Sequence, residues 1–256
     1  MCIRDRFNTN FKINDNTIFG SNKAWIRDAN EEPVANGATG DMLAIKSVDG
    51  FEARGNELRN SGEYGLTCIG SKNGSIIDNE IYRSDGSGIA ISNESENVIV
   101  KHNLCQDVGM NRAGGVTYQA GIRVFDGLRG VAGASPQDIV VNMNTLRSIT
   151  SLEYKYGIQV SHKSSVRLDS NNTFTNTNGS IIEEVKIVDP PGNAAHDVTI
   201  LIAGDVNRDS IVNFSDVAGF IAALTSGDYD SVADMNDDLM VGFLDIDLFI
   251  QSLSAP

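Results

Sequence analysis

The sequence predicts a mainly β chain: a solenoid of short parallel strands followed by a small α-helical unit built on two acidic loops. Three observations carry that expectation. An asparagine recurs in one apolar frame between residues 11 and 182, the apolar residues around it alternate with period two, and a twelve-residue acidic pattern occurs twice after residue 204.

Each copy of the repeat runs Asn-x-apolar, a polar turn, then Gly-apolar-x-apolar. Asn56-Glu-Leu58 leads to Gly65-Leu-Thr-Cys68, and Asn79-Glu-Ile81 to Gly88-Ile-Ala-Ile91. Asn103-Leu-Cys105 leads to Gly121-Ile-Arg-Val124, and Asn144-Thr-Leu146 to Gly157-Ile-Gln-Val160. Poorer copies at Asn16-Thr-Ile18 and Asn172-Thr-Phe174 flank them. The first spacings are 23 and 24 residues, and later ones stretch where the turns carry insertions. A helical repeat would set apolar residues three and four apart; alternation in short runs broken by Gly, Asn and Ser marks strands. Strands returning at that interval make one turn of a solenoid, each stacked in parallel on the next. If the asparagines stack too, each amide NH₂ can donate to the carbonyl of the neighbouring rung. That satisfies groups that would each cost about 1–3 kcal/mol buried and unpaired. The frame N-x-[ILCF] followed by G-[IL]-x-[VIC] resembles right-handed parallel β-helix proteins of the pectin-lyase-like class, over residues 10–188.

After a joint near Asp189-Pro-Pro-Gly192 and a closing run, VTILI, within residues 189–203, the composition changes. Residues 204–256 hold ten Asp and one Arg, so −9 of the formal −14 lies in the last fifth of the chain. With Asp205 as position 1, Asn207, Asp209, Ile211, Asn213 and Asp216 fall at positions 3, 5, 7, 9 and 12. Those are the positions from which a twelve-residue calcium loop takes its oxygens, position 7 through its backbone carbonyl. Asp234, Asn236, Asp238, Met240 and Asp245 repeat the register 29 residues later, with Gly242 at position 9. Each loop is followed by an apolar helical stretch, Val217–Leu224 and Ile246–Leu253. Position 6, where such loops favour Gly, is Ser210 in one and Leu239 in the other. The pair resembles a dockerin type I-like module, which implies bound Ca²⁺ and a cohesin-like scaffold partner. Positions 10 and 11, which often contact that partner, are Phe214-Ser215 and Phe243-Leu244; the two Phe either pack between the helices or meet a partner. Loops of this grade bind calcium too weakly for the cytosol, which places the protein outside the cell or on its surface.

Cys2, Cys68 and Cys105 form no CxxC and accompany no His cluster, so neither zinc nor a disulfide framework is indicated; Cys68 and Cys105 read as small buried apolar residues. No run approaches the ~18 apolar residues of a membrane-spanning helix. No basic aromatic patch points to nucleic acid. The opening MCIRDR reads as a sequence scar ahead of an interior fragment and is set aside from the fold.

The β-helix resemblance implies polysaccharide as substrate or ligand without fixing a reaction, since such folds carry lyases, hydrolases, esterases and non-catalytic surface proteins. Lyase chemistry on uronates needs a base beside a positive group that neutralises the carboxylate, and hydrolysis needs paired carboxylates. Insertions at 106–120, 126–138 and 148–156 are the loops that would wall a groove. Around them Arg123, Asp126, Lys155 and His162 are the catalytic candidates, with Arg112, Tyr118 and Arg129 nearby. Alternation points Arg123 outward, where its plain reading is an exposed strand arginine. His102 and His162 have no acid or thiol partner evident in the sequence and read as surface or turn residues, while Glu57 and Glu80 read as solvated rungs. Two functions stay open: a secreted β-helix acting on or binding polysaccharide, as a lyase or glycoside hydrolase if catalytic, and a non-catalytic adhesion solenoid with the same tail.

Overall fold

The computed structural model describes residues 2–4, 11–19, 40–109, 120–125, 135–149, 156–161, 164–169, 171–176, 183–188, 199–227 and 229–253. Within these the chain is a parallel β-helix, each turn giving one strand to each of three sheets. The first sheet stacks Cys2–Arg4, Leu43–Lys46, Leu66–Ile69, Ile89–Ser92, Ala120–Phe125, Tyr156–Ser161 and Glu183–Val188. The second stacks Phe11–Asn14, Asp49–Arg54, Lys72–Ile77, Glu96–Lys101, Gln137–Asn142, Ser165–Leu168 and Thr199–Leu201. The third runs from Thr17–Phe19 through Glu57–Ser61, Glu80–Ser84, Leu104–Gln106 and Thr145–Ser148 to Thr173–Asn176.

Cys2–Arg4 lies in the stretch that the sequence reading set aside, yet it pairs in parallel with Ala44–Lys46. Its own composition carries little strand signal; the neighbouring edge supplies the pairing partners, a tertiary context that outweighs local propensity.

Alternation fills the inside. Ile45, Cys68, Ile91, Val124 and Val160 form an inward row of the first sheet, and Ala53, Ile76, Val100 and Val141 one of the second. Leu58, Ile81, Cys105, Leu146 and Phe174 line the third. The two cysteines are buried, and burial pushes the Cys68 thiol up to about 12 and raises Cys105 as well. The recurring glycine has a steric cause. A Cβ on Gly65 would sit 2.3 Å from Ile81 Cγ2, one on Gly88 2.6 Å from Cys105 Sγ, and one on Gly157 2.2 Å from Phe174. The first sheet begins where the inward residue of the third leaves no room for a side chain.

The asparagines stack as a continuous ladder. Asn16, Asn56, Asn79, Asn103 and Asn144 each donate Nδ2–H to Oδ1 of the next, at 2.9, 2.8, 2.9, 3.0 and 3.1 Å, ending on Asn172. The backbone N–H of each of these five donates to the same oxygen, at 3.0–3.1 Å. The remaining amide hydrogen of Asn56, Asn79, Asn103, Asn144 and Asn172 reaches a carbonyl of the turn before: Ile13, Ala53, Ile76, Val100 and Val141. The residue just before the first five rungs is left-handed: Asp15, Gly55, Asp78, His102 and Met143, with φ between 52° and 64°. Such a backbone turns the chain sharply from second sheet to third, at a cost of about 1–2 kcal/mol for a non-glycine residue.

Asn103→Ala removes the acceptor for two Asn79 donors: it leaves the backbone N–H without a partner in the interior, while Nδ2 keeps only the Ala53 and Ile77 carbonyls. It is expected to lower unfolding stability by about 3 kcal/mol or more, whereas Asn16→Ala, at the exposed end of the ladder, should cost less than about 1 kcal/mol. Urea unfolding of both variants checks this; equal losses would contradict the ladder's role.

Candidate functional site

The two acidic loops share one framework of backbone N–H groups bonded to aspartate carboxylates. At position 1, Asp205 accepts from the N–H of Asp209 and Ser210 at 3.0 and 2.7 Å, and Asp234 from Asp238 and Leu239 at 3.1 and 3.0 Å. At position 12, Asp216 takes Asn207 N–H on one oxygen and Asn213 N–H on the other; Asp245 takes Asn236 and Gly242 in the same way. Position 5 turns back on position 7 in both, Asp209 on Ile211 and Asp238 on Met240, each at 2.9 Å. Position 6 is left-handed in both despite its side chain, with φ 70° at Ser210 and 68° at Leu239. The turn therefore keeps the shape that glycine makes easy, at a conformational cost.

Helices α1 (Val217–Ser226) and α2 (Phe243–Leu253) follow the loops. Phe220 and Phe249 hold the same position relative to their loops, and their rings stack at 4.1 Å with 2° between planes. Ala233, Val206, Val217, Met235, Val241 and Ile246 pack around them, so each half supplies part of one small core. The carboxylates of positions 1 and 12 are buried: Asp216, Asp234 and Asp245 fully, Asp205 nearly so. Burial pushes Asp234 up to about 6 against the pull of the Asp238 and Leu239 N–H groups, and the Asp245 and Asp238 charges add to the rise. Among the described residues no three Asp, Glu, His or Cys side chains close on a common point. The oxygens on offer are a mixed set of Asp carboxylates, the Asn207 and Asn236 amides and the Ile211 and Met240 carbonyls. That set fits a hard cation.

Phe214 and Phe243 do not pack between the helices: they are 81% and 85% exposed. Ile211 and Met240, Ile221 and Ile250, and Leu244 are exposed beside them. All but Leu244, whose counterpart is Ser215, are matching positions of the two halves.

On the β-helix, Arg123 faces outward in a rung between Ala90 and Gln159, yet it is only 8% exposed. Its guanidinium lies 4.0 Å from the Phe125 ring centre, and Nη1 donates to the Tyr64 hydroxyl at 3.3 Å. Alternation gives the correct side but not the exposure, because the outer face of this sheet is itself covered: Thr67, Ala90 and Gln159 are buried too. Asp126, Lys155 and His162, with Arg112, Tyr118 and Arg129, lie outside the described residues. His102 finds the acid that the sequence did not reveal: Asp78, one turn away, has its carboxylate 3.6 Å from Nδ1. Glu57 and Glu80 are neighbours on one rung, and each is engaged inside its own turn, by Arg59 and by the Tyr82 hydroxyl.

The sequence reading missed the outer face of the second sheet. Ile99 and Val140 point outward there and are fully buried, and Arg167 beside them is 1% exposed. A signal was present: Val98-Ile99-Val100 and Ile139-Val140-Val141 are unbroken apolar runs, as expected of strands covered on both faces.

No protein-family model matches the chain, and no curated protein matches it. Among solved structures it is similar to the A-module of mannuronan C-5 epimerase AlgE4 from Azotobacter vinelandii. The TM-score is 0.50 at 14% identity, over 75% of this chain and 46% of that one. The chain thus spans about half the length of that structure, and the likeness bears on the fold: both are parallel β-helices.

Arg123→Ala strips the Tyr64 hydroxyl of a buried partner and should destabilise the protein by about 1–3 kcal/mol in chemical unfolding. Unchanged stability would show that Arg123 is not part of the packing.

Proposed function

We propose that this is a protein of the cell exterior whose β-helix binds or modifies an acidic polysaccharide and whose C-terminal unit is a calcium-loaded, dockerin-like anchor to a scaffold. The observation that carries the reading is the repetition in both acidic loops of the same backbone bonds to the carboxylates of positions 1, 5 and 12, with those of positions 1 and 12 buried. Charges of one sign drawn into one loop repel each other unless a cation sits among them. Asp205, Asn207, Asp209, the Ile211 carbonyl, Asn213 and Asp216 would hold one Ca²⁺. Asp234, Asn236, Asp238, the Met240 carbonyl and Asp245 would hold the second, with water serving at Gly242. The ion supplies the positive charge that offsets three carboxylates and ties each loop's start to its end. Secretion follows from the millimolar calcium that such loops use.

Exposed apolar side chains clustered on a small domain mark an interaction surface. Phe214 on one half, and Phe243 and Leu244 on the other, support a cohesin-like partner that engages either face. The polysaccharide part rests on the β-helix and on a structural neighbour named for the C-5 epimerisation of mannuronan.

Calorimetric titration of calcium into the full chain is expected to show two bound ions, and Asp216→Ala one; absence of heat would contradict the calcium reading. Immobilised polyuronates test the other half. Retention accompanied by an unsaturated, ultraviolet-absorbing product identifies a lyase, retention without any new product the adhesive alternative, and retention on no polymer would contradict the polysaccharide reading.

A further inference from the structure

The two halves of the C-terminal unit match at ligand positions 1, 3, 5 and 12, at the stacked phenylalanines and at the exposed Phe214 and Phe243. They differ at position 4, which is Arg208 in the first loop and Asp237 in the second. Both residues are left-handed, with φ 61° and 57°, and both reach the second sheet of the β-helix. Arg208 meets the Asp138 carboxylate at 3.2 Å. Asp237 is buried, and its carboxylate receives Arg167, Asn142 Nδ2 at 2.5 Å and, at 3.6 Å, the Lys101 ammonium.

Arg167 is held by all five of its N–H groups. Nη1 donates to the backbone carbonyls of Ser231 and, at 2.9 Å, Asp234. Nη2 donates to Asp237 and to Asp169, the latter at 3.2 Å, and Nε donates to Asp169 at 3.3 Å. Lys101 adds a bond of 3.0 Å to the Asn236 carbonyl. Positions 1, 3 and 4 of the second loop are therefore fixed from outside it, by side chains on three consecutive strands. The first loop has a single half-exposed arginine in the corresponding place. The second loop is also the one whose position 9, Gly242, offers no side-chain oxygen.

We infer that the Arg167–Asp237 clamp is a positioning device for the second loop: docking on the β-helix preorganises that loop for its cation, and cation binding in turn holds the C-terminal unit on the sheet. This rests on the calcium reading above. Arg167, Lys101 and Asn142 contact no cation ligand's side chain; they fix the backbone from which Asp234 and Asn236 project. A site whose ligands are already placed binds with less ordering cost, and linkage requires the reverse effect to be equally large.

The test is calcium calorimetry on the full chain, comparing wild type, Asp237→Asn and Lys101→Met, each also with Asp216→Ala to silence the first loop. The clamp variants should weaken the second site at least about fivefold, the lower range of such couplings, and leave the first site within about twofold. Asp237→Asn strands part of a buried arginine, so if thermal melting shows that it fails to fold, Lys101→Met at the edge of the contact decides. Two ions bound by wild type and unchanged affinities in the variants would overturn the clamp alone. A wild type that binds no calcium would overturn the calcium reading and the clamp with it.

Discussion

One side-chain amide, repeated, sets the geometry of this molecule. Each rung's Oδ1 accepts both the backbone and the side-chain N–H of the turn before, so neighbouring turns cannot slip by a residue without stranding two buried donors. A one-residue slip in a strand would also exchange its inward and outward faces. The ladder and the apolar rows therefore enforce the same register. The glycine that opens strands of the first sheet is a further consequence, since the inward residue of the third sheet takes the space its side chain would need.

The same ladder reaches the C-terminal unit. Asn103 and Asn144 also donate to the carbonyls of Lys101 and Asn142, two residues back. Those two residues hold Asp237 with their side chains. Burial draws the Lys101 pKa below its ordinary value, as expected of a cation enclosed between the second sheet and the second loop. A corner that closes the solenoid thus also presents the groups on which an acidic loop is seated. The C-terminal unit then has polar groups bonded to the β-helix and apolar side chains, Phe214 and Phe243, turned to solvent.

Much of this was legible in the sequence because it repeats. Period-two runs around Asn56, Asn79, Asn103 and Asn144 gave strands, solenoid and ladder together, and the spacing from Asp205 to Asp216 and from Asp234 to Asp245 gave the loops. What escaped depends on contacts between residues far apart in the chain. Arg167 and Asp237 are 70 residues apart, and nothing local in Ser165–Leu168 distinguishes a clamp from a solvated strand. Arg123 was placed on the correct face but with the wrong exposure, because alternation reports direction and not what covers a face. Asp78 and His102 meet only because one turn of the solenoid is 24 residues long.

The central question is whether the buried carboxylates at matching places in the two loops hold a cation. Crystals of the full chain grown with calcium, examined by anomalous scattering, test it most directly. The expected result is one peak in each loop, with oxygens of Asp205 and Asp216 or of Asp234 and Asp245 about 2.3–2.6 Å away. Loops with the same backbone and no peak in either would contradict it.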